Sequence, residues 1–367
     1  MRVLIDIGHP GHVHLLRNLY HYLISNNHKV WVSVKDIPIA HSLLKKYDIP
    51  FINIGKKKDS LTGKALTQIN YNLKLLKLVK QNKIELGVGT SITLAHISKL
   101  SRMKSILLDD DDDEVQPLFV KYAHPFADVL LSPESLIGHR KKKGTIFYPG
   151  FHELAYLHPN NFTPDIKVLE EVGLKEGEPF FIMRFNVFKA HHDVGVMGMT
   201  LEQKQELIRI LEPHGRIFIT TEREIEPELK KYQLIVSPEK AHSLMYYATM
   251  FLGDSQTMTS EAAVLGTPAV KCNTLAHKLS VPNELEQKYD LCYSYHPNEF
   301  DLYISKVLEL VQNKNLKQIW KAKTEKLFIE KIDVTAFLIW FIENYPKSNQ
   351  SLIDNSDYYK DEVLHGL

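Results

Sequence analysis

Short, nearly unbroken apolar runs alternate along this chain with longer stretches of helical periodicity, and the alternation happens twice. Residues 2–7 form the first run, with Val3, Leu4, Ile5 and Ile7 around Asp6. It is continuous rather than alternating, as a strand buried on both sheet faces requires. A helical pattern over 14–26 follows, then strands at 29–34, 51–54, 86–88, 105–108 and 129–131 with helical segments between. Repeated strand–helix units predict a doubly wound parallel sheet. Residues 140–160, with Arg140-Lys141-Lys142-Lys143-Gly144 and then Pro149-Gly150, read as a linker. The second alternation places strands at 180–183, 216–219, 234–236, 250–252, 269–270 and 291–293, and helices at 200–213, 240–248, 256–265 and 300–312. An apolar helix over 334–344 carries Phe337, Leu338, Trp340 and Phe341, and the polar residues 346–367 are expected to be loosely ordered.

Composition narrows the class. A chain of 367 residues suits two domains of about 150–200 residues better than one core. At 44% hydrophobic and 24% charged it is ordinary globular material, and a net charge of +1 gives no reason to expect nucleic acid. Cys272 and Cys292 form neither a disulfide framework nor a metal cluster, which suits a cytoplasmic location. The N-terminus enters a strand at once, so no signal peptide is expected. No apolar run approaches the roughly 20 residues of a spanning helix.

Residues 253–270 carry the most chemistry. The strand ending Phe251-Leu252 stops at Gly253, Ser255, Thr257 and Thr259 follow, and a helical pattern then runs to Leu265 before Gly266-Thr267-Pro268. A strand, a hydroxyl-rich turn and a helix N-terminus make an anion site, because first-turn N–H groups lack partners and the dipole favours negative charge. Glu261, about one turn in, would repel a phosphate at the tip but suits a ribose diol, which a carboxylate grips with two hydrogen bonds. An ordinary capped helix uses the same hydroxyls.

This segment resembles the nucleotide-sugar motif of glycosyltransferase-B-type enzymes, among them the peptidoglycan N-acetylglucosamine transferase and the non-hydrolysing UDP-N-acetylglucosamine 2-epimerases. Over residues 1–345 the chain is similar to a family of glycosyltransferase-B-like proteins of archaea and bacteria. The matching pieces are Ile5-Asp6 with Gly11-His12-Val13, the run from Tyr148-Pro149-Gly150 to Leu157, Met183-Arg184 with Lys189-Ala190-His191, Tyr246-Tyr247-Ala248, and 253–270. The resemblance implies two Rossmann-like domains facing across a cleft: an acceptor-side domain at 1–148 and a nucleotide-sugar domain at 149–335. A helix at 336–345 would pack back on the first domain, leaving 346–367 as a polar tail. Ser255, Thr257 and Thr259 would then hold the diphosphate and Glu261 the ribose, with Met258 also at the nucleotide-sugar site.

Candidate residues follow from both readings. Gly8, Pro10 and Gly11 force a turn at the carboxyl end of the first strand, where open sheets place ligands. His12 there suits a general base. It matches the family's Pro-His-Val position, although this chain has Gly11 where the family has proline. One of His9, His12 and His14 instead suits a helix cap, and Gly11 and His14 are assigned to the acceptor side. The run Asp109–Asp113 admits three roles: a divalent cation site, an acceptor or catalytic carboxylate, or a solvated loop. Enzymes of the resembled fold generally use no metal, so none is expected and Asp110 and Asp112 stand for the run. Arg184 and Lys189 would neutralise a departing diphosphate, and Glu222 is a candidate for base or ribose contacts. His152 and Glu153 lie at the domain junction, on the acceptor side or at a hinge. The basic amphipathic stretch 61–83 reads either as a core stripe with solvated lysines or as a face resting on anionic lipid. Three functions remain open: a metal-independent glycosyltransferase moving sugar from a UDP-sugar or related donor to a saccharide or lipid-linked acceptor, a sugar-nucleotide 2-epimerase, and a non-catalytic nucleotide-sugar-binding protein. None needs a cofactor.

Overall fold

The structure is a computed structural model that describes residues 1–56, 61–185, 197–221 and 224–354. The chain divides into two compact units. Unit 1 comprises Met1–Asn161 with the segment from Ile332 onward, and unit 2 comprises Phe162–Lys331. The division therefore falls after 161 rather than at the 148/149 position expected from the sequence.

Unit 1 is built on seven parallel strands: β1 (Arg2–Ile7), β2 (Lys29–Lys35), β3 (Ile52–Gly55), β4 (Leu86–Gly89), β5 (Lys104–Leu108), β6 (Val129–Pro133) and β7 (Ile146–Tyr148). Their order is β3-β2-β1-β4-β5-β6-β7, so the direction of winding reverses between β1 and β4. Val3, Leu4, Ile5 and Ile7 are all buried, as their unbroken run required. The two central strands close tightly at their carboxyl ends. A Cβ on Gly89 would stand 2.5 Å from the carbonyl oxygen of Asp6, and Gly89 has φ +155°, so the position needs glycine.

Two expectations fail here. The 140–160 stretch is no simple linker, because it contains β7 and the Arg140 side chain is completely buried. The polar tail contains a helix, Lys347–Asp354, with Ser348 and Leu352 buried. The preceding helix, Val334–Glu343, packs on the first helix, Pro10–Ser25. The chain reaches it through Ile332, whose N–H donates to Pro149 at 3.0 Å, and Asp333 caps it by accepting from Ala336 N–H at 3.1 Å.

The basic helix Leu61–Asn82 buries Tyr71, Leu75 and Val79. Leu66, Ile69 and Leu73 are instead 65%, 56% and 62% exposed. The apolar stripe read from the sequence is thus split between core and solvent.

Unit 2 has five parallel strands, β8 (Phe180–Arg184), β9 (Arg216–Thr220), β10 (Met250–Gly253), β11 (Ala269–Cys272) and β12 (Cys292–Tyr295), in the order β12-β11-β10-β8-β9. The expected strand at 234–236 is absent. A single bridge between Ile219 and Gln233 stands in its place, and Ile235 faces solvent, so the short apolar run buries too little to extend the sheet. Cys272 and Cys292 are buried free thiols. No helix among the described residues is long and apolar enough to cross a membrane.

Candidate functional site

In unit 1 the turn after β1 sits beside the point where the winding reverses, the usual ligand position in an open parallel sheet. Helix Pro10–Ser25 starts four residues earlier than its periodicity suggested, because Pro10 serves at its first position and His9 caps it. The His9 Nδ1 accepts from Gly11 N–H at 3.2 Å. His12 therefore lies in the first turn. Its Nδ1 accepts from Gly8 N–H at 3.2 Å, and the Thr90 hydroxyl, just past β4, lies 2.8 Å from Nδ1 and 2.9 Å from Nε2. Burial, then the neighbouring His9, His152 and Lys35, hold His12 well below the usual imidazole range, against the opposing pull of Asp110. His14 is elsewhere, on the buried side of the helix between the rings of Tyr47 and Tyr156.

The five aspartates after β5 separate into distinct roles. Asp109 takes His124 Nε2 at 2.7 Å, Arg140 Nη1 at 2.9 Å and Gln116 Nε2 at 2.6 Å. Asp113 takes the same Arg140 nitrogen at 2.5 Å and Lys141 N–H at 2.8 Å. Asp109, Asp113 and His124 bring possible ligand atoms within 4.8 Å of one another, but Arg140 already supplies the positive charge there. Asp112 is buried, 3.9 Å from His139.

Asp110 pairs with His152 Nδ1 at 3.0 Å and acts electrostatically on His12. Burial works against charging either partner, yet the pair prevails: the Asp110 carboxylate raises His152, and His152 lowers Asp110. Beside them, desolvation and the carboxylates of Asp110 and Asp109 push Asp111 up to about 7. Glu153 is buried next to His152. The Nε2 of His152 and the hydroxyl of Tyr148 are buried without a hydrogen-bond partner among the described residues. Sequence reasoning missed Thr90, Lys35 and Arg140. Only Arg140 had a visible signal, as the basic residue in a run that could answer the acidic one.

In unit 2 the motif helix spans Gln256–Val264 and opens at the carboxyl end of β10. Gly253 has φ +144°, and a Cβ there would lie 2.1 Å from the Arg184 carbonyl oxygen, so only glycine allows β10 to lie against Arg184 at the end of β8. Asp254 N–H donates to that same carbonyl at 3.1 Å. Ser255 occupies the cap position without a side-chain capping bond, Thr257 is exposed in the first turn, and Met258 is half-buried. Thr259 departs from its expected role: its hydroxyl is fully buried and donates to Ser255 O at 2.7 Å. Glu261 is also buried, with Oε1 3.0 Å from Nε2 of His242 in the adjacent helix Ala241–Tyr247. Lys271 of β11 is buried, bonds the side-chain oxygen of Gln256, and is lowered to about 8 by burial. No spacing announced His242, Gln256 or Lys271. Lys189 and Glu222 lie outside the described residues.

The family described as protein of unknown function (DUF354) matches residues 1–336. The chain belongs to this family. An uncharacterized protein of Methanocaldococcus jannaschii is 22% identical over 286 residues, covering 74% of this chain and 81% of its own. Among solved structures, a Listeria monocytogenes protein described as a UDP-N-acetylglucosamine 2-epimerase superposes with a TM-score of 0.69 at 13% identity, over 94% of this chain and 97% of its own. MnaA of S. aureus, solved with UDP, gives 0.64 at 10% identity over 98% and 97%. The spinosyn forosaminyltransferase SpnP gives 0.63 at 12% identity over 94% and 100%. At these identities the likeness establishes the fold. This DUF354 member has the two-domain α/β architecture of glycosyltransferase-B proteins.

Proposed function

We propose that this protein is a metal-independent glycosyltransferase that takes a nucleotide-diphosphate sugar, a UDP-sugar in our reading, and transfers the sugar to a saccharide or lipid-linked acceptor. Unit 2 holds the donor. The first-turn N–H groups of Gln256–Val264, with Ser255 and Thr257, bind the diphosphate, and Glu261 binds the ribose. The observation that carries this reading is the pair Glu261–His242. Pinning one carboxylate oxygen at 3.0 Å inside the motif helix fixes the group that a ribose diol must meet. Arg184, at the end of β8 next to the motif turn, offsets the charge that grows on the leaving diphosphate. Lys189 and Glu222 keep their sequence-based assignments to the same nucleotide site. In unit 1 the cluster His12, Asp110 and His152 activates the acceptor hydroxyl, with Gly11 and Glu153 beside it.

A 2-epimerase is the second reading. It uses the same donor site, needs no acceptor, and is favoured by the superposition on the Listeria protein. Following sugar and nucleotide separately during incubation with a UDP-sugar decides between them. Released UDP only when acceptor is present supports the transferase. A changed sugar still attached to UDP supports the epimerase, and neither outcome across a broad acceptor panel leaves a binding protein.

The proposal includes a cytoplasmic protein that touches the membrane through 61–83. Exposed Leu66, Ile69 and Leu73, together with a helix sequence containing lysines and no acidic residue, support it. Co-sedimentation with anionic vesicles, lost in a Leu66→Ser/Ile69→Ser/Leu73→Ser variant, is the expected result.

A further inference from the structure

His12 occupies the position that suggests a general base, but its bonds point to another role. A backbone N–H can only donate, so the 3.2 Å bond from Gly8 means that Nδ1 presents a lone pair and Nε2 carries the proton of the neutral ring. The opposite tautomer would set an Nδ1–H against the Gly8 N–H. Thr90 does not change this outcome. Its hydroxyl, 2.8 Å from Nδ1 and 2.9 Å from Nε2, is nearly equidistant from the two and so lies over the ring face, off the axis of either nitrogen; Nδ1 stays committed to Gly8, and Nε2–H stays available to a substrate oxygen. Protonation is disfavoured as well, because burial desolvates the ring and His9, His152 and Lys35 add like charge against the carboxylate of Asp110; the positive end of the helix dipole at the first turn of Pro10–Ser25 acts in the same direction.

We propose that His12 acts as a neutral hydrogen-bond donor through Nε2, and that Asp110 takes the proton from the acceptor hydroxyl. This assignment rests on the transferase reading. The acceptor oxygen bonds to the anomeric carbon while the bond from that carbon to the phosphate oxygen breaks, its electron pair leaving with the nucleoside diphosphate. The hydroxyl proton passes to the Asp110 carboxylate and then to water, which the 33% exposure of that side chain permits. His152 is a positioning residue that holds Asp110 through Nδ1 and keeps it ionised. His12 gives a hydrogen bond to a substrate oxygen and neither gains nor loses a proton. Fixed neutral donors of this kind at a helix N-terminus stabilise developing charge without needing a matched pKa.

The test begins without substrate. Nitrogen-15 NMR of the full-length protein labelled at histidine, with His12 assigned by difference from His12→Gln, reads the tautomer directly. We expect a protonated Nε2 and an unprotonated Nδ1 between about pH 5 and 8; an Nδ1–H tautomer, or an imidazolium in that range, overturns the role of His12. The second arm measures turnover with a UDP-sugar and an acceptor panel. Glutamine donates but cannot act as a base, so His12→Gln should lose about tenfold or less, whereas loss of a general base costs about 100-fold to 10,000-fold. A loss in that larger range for His12→Gln overturns the proposal, as does a loss confined to Asp111→Asn rather than Asp110→Asn. If the wild-type protein consumes no donor, the transferase reading and the role of Asp110 both fail, while the imidazole spectrum still decides His12.

Discussion

Unit 1 gathers mutually perturbed ionisable groups at the carboxyl end of its sheet, whereas unit 2 places hydroxyls, amides, one pinned carboxylate and the Arg184 cation at the same end of its own. In unit 1, Asp110 and His152 are paired at 3.0 Å and shift each other's titration, and both act on that of His12. In unit 2, Glu261 is fixed by His242 and the first turn of the motif helix carries no charged side chain. A cluster of mutually perturbed groups suits proton transfer, and a preset arrangement of donors with one fixed acceptor suits recognition. Damage to unit 1 should therefore fall on turnover, and damage to unit 2 on affinity.

The largest effect that would sharpen this contrast is Asp110→Asn. Turnover should fall about 100-fold to 10,000-fold with donor affinity nearly unchanged; an equal loss of nucleotide affinity, measured by calorimetry, would break the contrast. A variant of similar size but different kind is Arg140→Met. It leaves Asp109 and Asp113 buried without their shared cation, so urea unfolding should show a loss of about 3–5 kcal/mol. If stability is retained, the aspartate run is not held by Arg140.

Glu261→Gln comes next. It should weaken a nucleoside diphosphate about tenfold or more while leaving inorganic phosphate alone, because only the ribose contact loses its charged acceptor. The smallest effect concerns pH. The folded-state value of His152 is raised, so its pairing with Asp110 contributes stability that is fully present below the ordinary imidazole value and is lost as pH rises through the raised one. Asp110 is lowered, so its share is present above the ordinary carboxylate value and is lost as pH falls through the lowered one. The stability gap between wild type and His152→Asn should thus be widest between about pH 4 and 6.5 and narrow above it. A gap that widens with rising pH would contradict the pair.

The fold was legible because nearly every strand is a short apolar run buried on both faces, and that pattern survives any tertiary context. It misled where an apolar run was too short to matter, at 234–236, and where charge hid structure, at Arg140 and β7. The site was legible only in part. Gly253 and the capping turn announce themselves through backbone geometry. Which aspartate meets which partner depends on where Arg140 and His152 arrive from more than 25 residues away, as the pairings 109–140 and 110–152 illustrate. Thr259 shows the same limit in reverse: its hydroxyl turned back to its own helix, a competition that no spacing reveals.

The central claim is that unit 2 binds a nucleotide-diphosphate sugar at the motif helix. Calorimetry of the full-length protein against UDP-, GDP-, dTDP- and CMP-compounds tests it most directly, with Glu261→Ala as the paired variant and urea unfolding to confirm that it remains folded. The account predicts that at least one nucleoside diphosphate binds, and that the variant weakens it much more than it weakens free phosphate. No binding of any of these compounds at millimolar concentration, or equal weakening of nucleotide and phosphate, would contradict it.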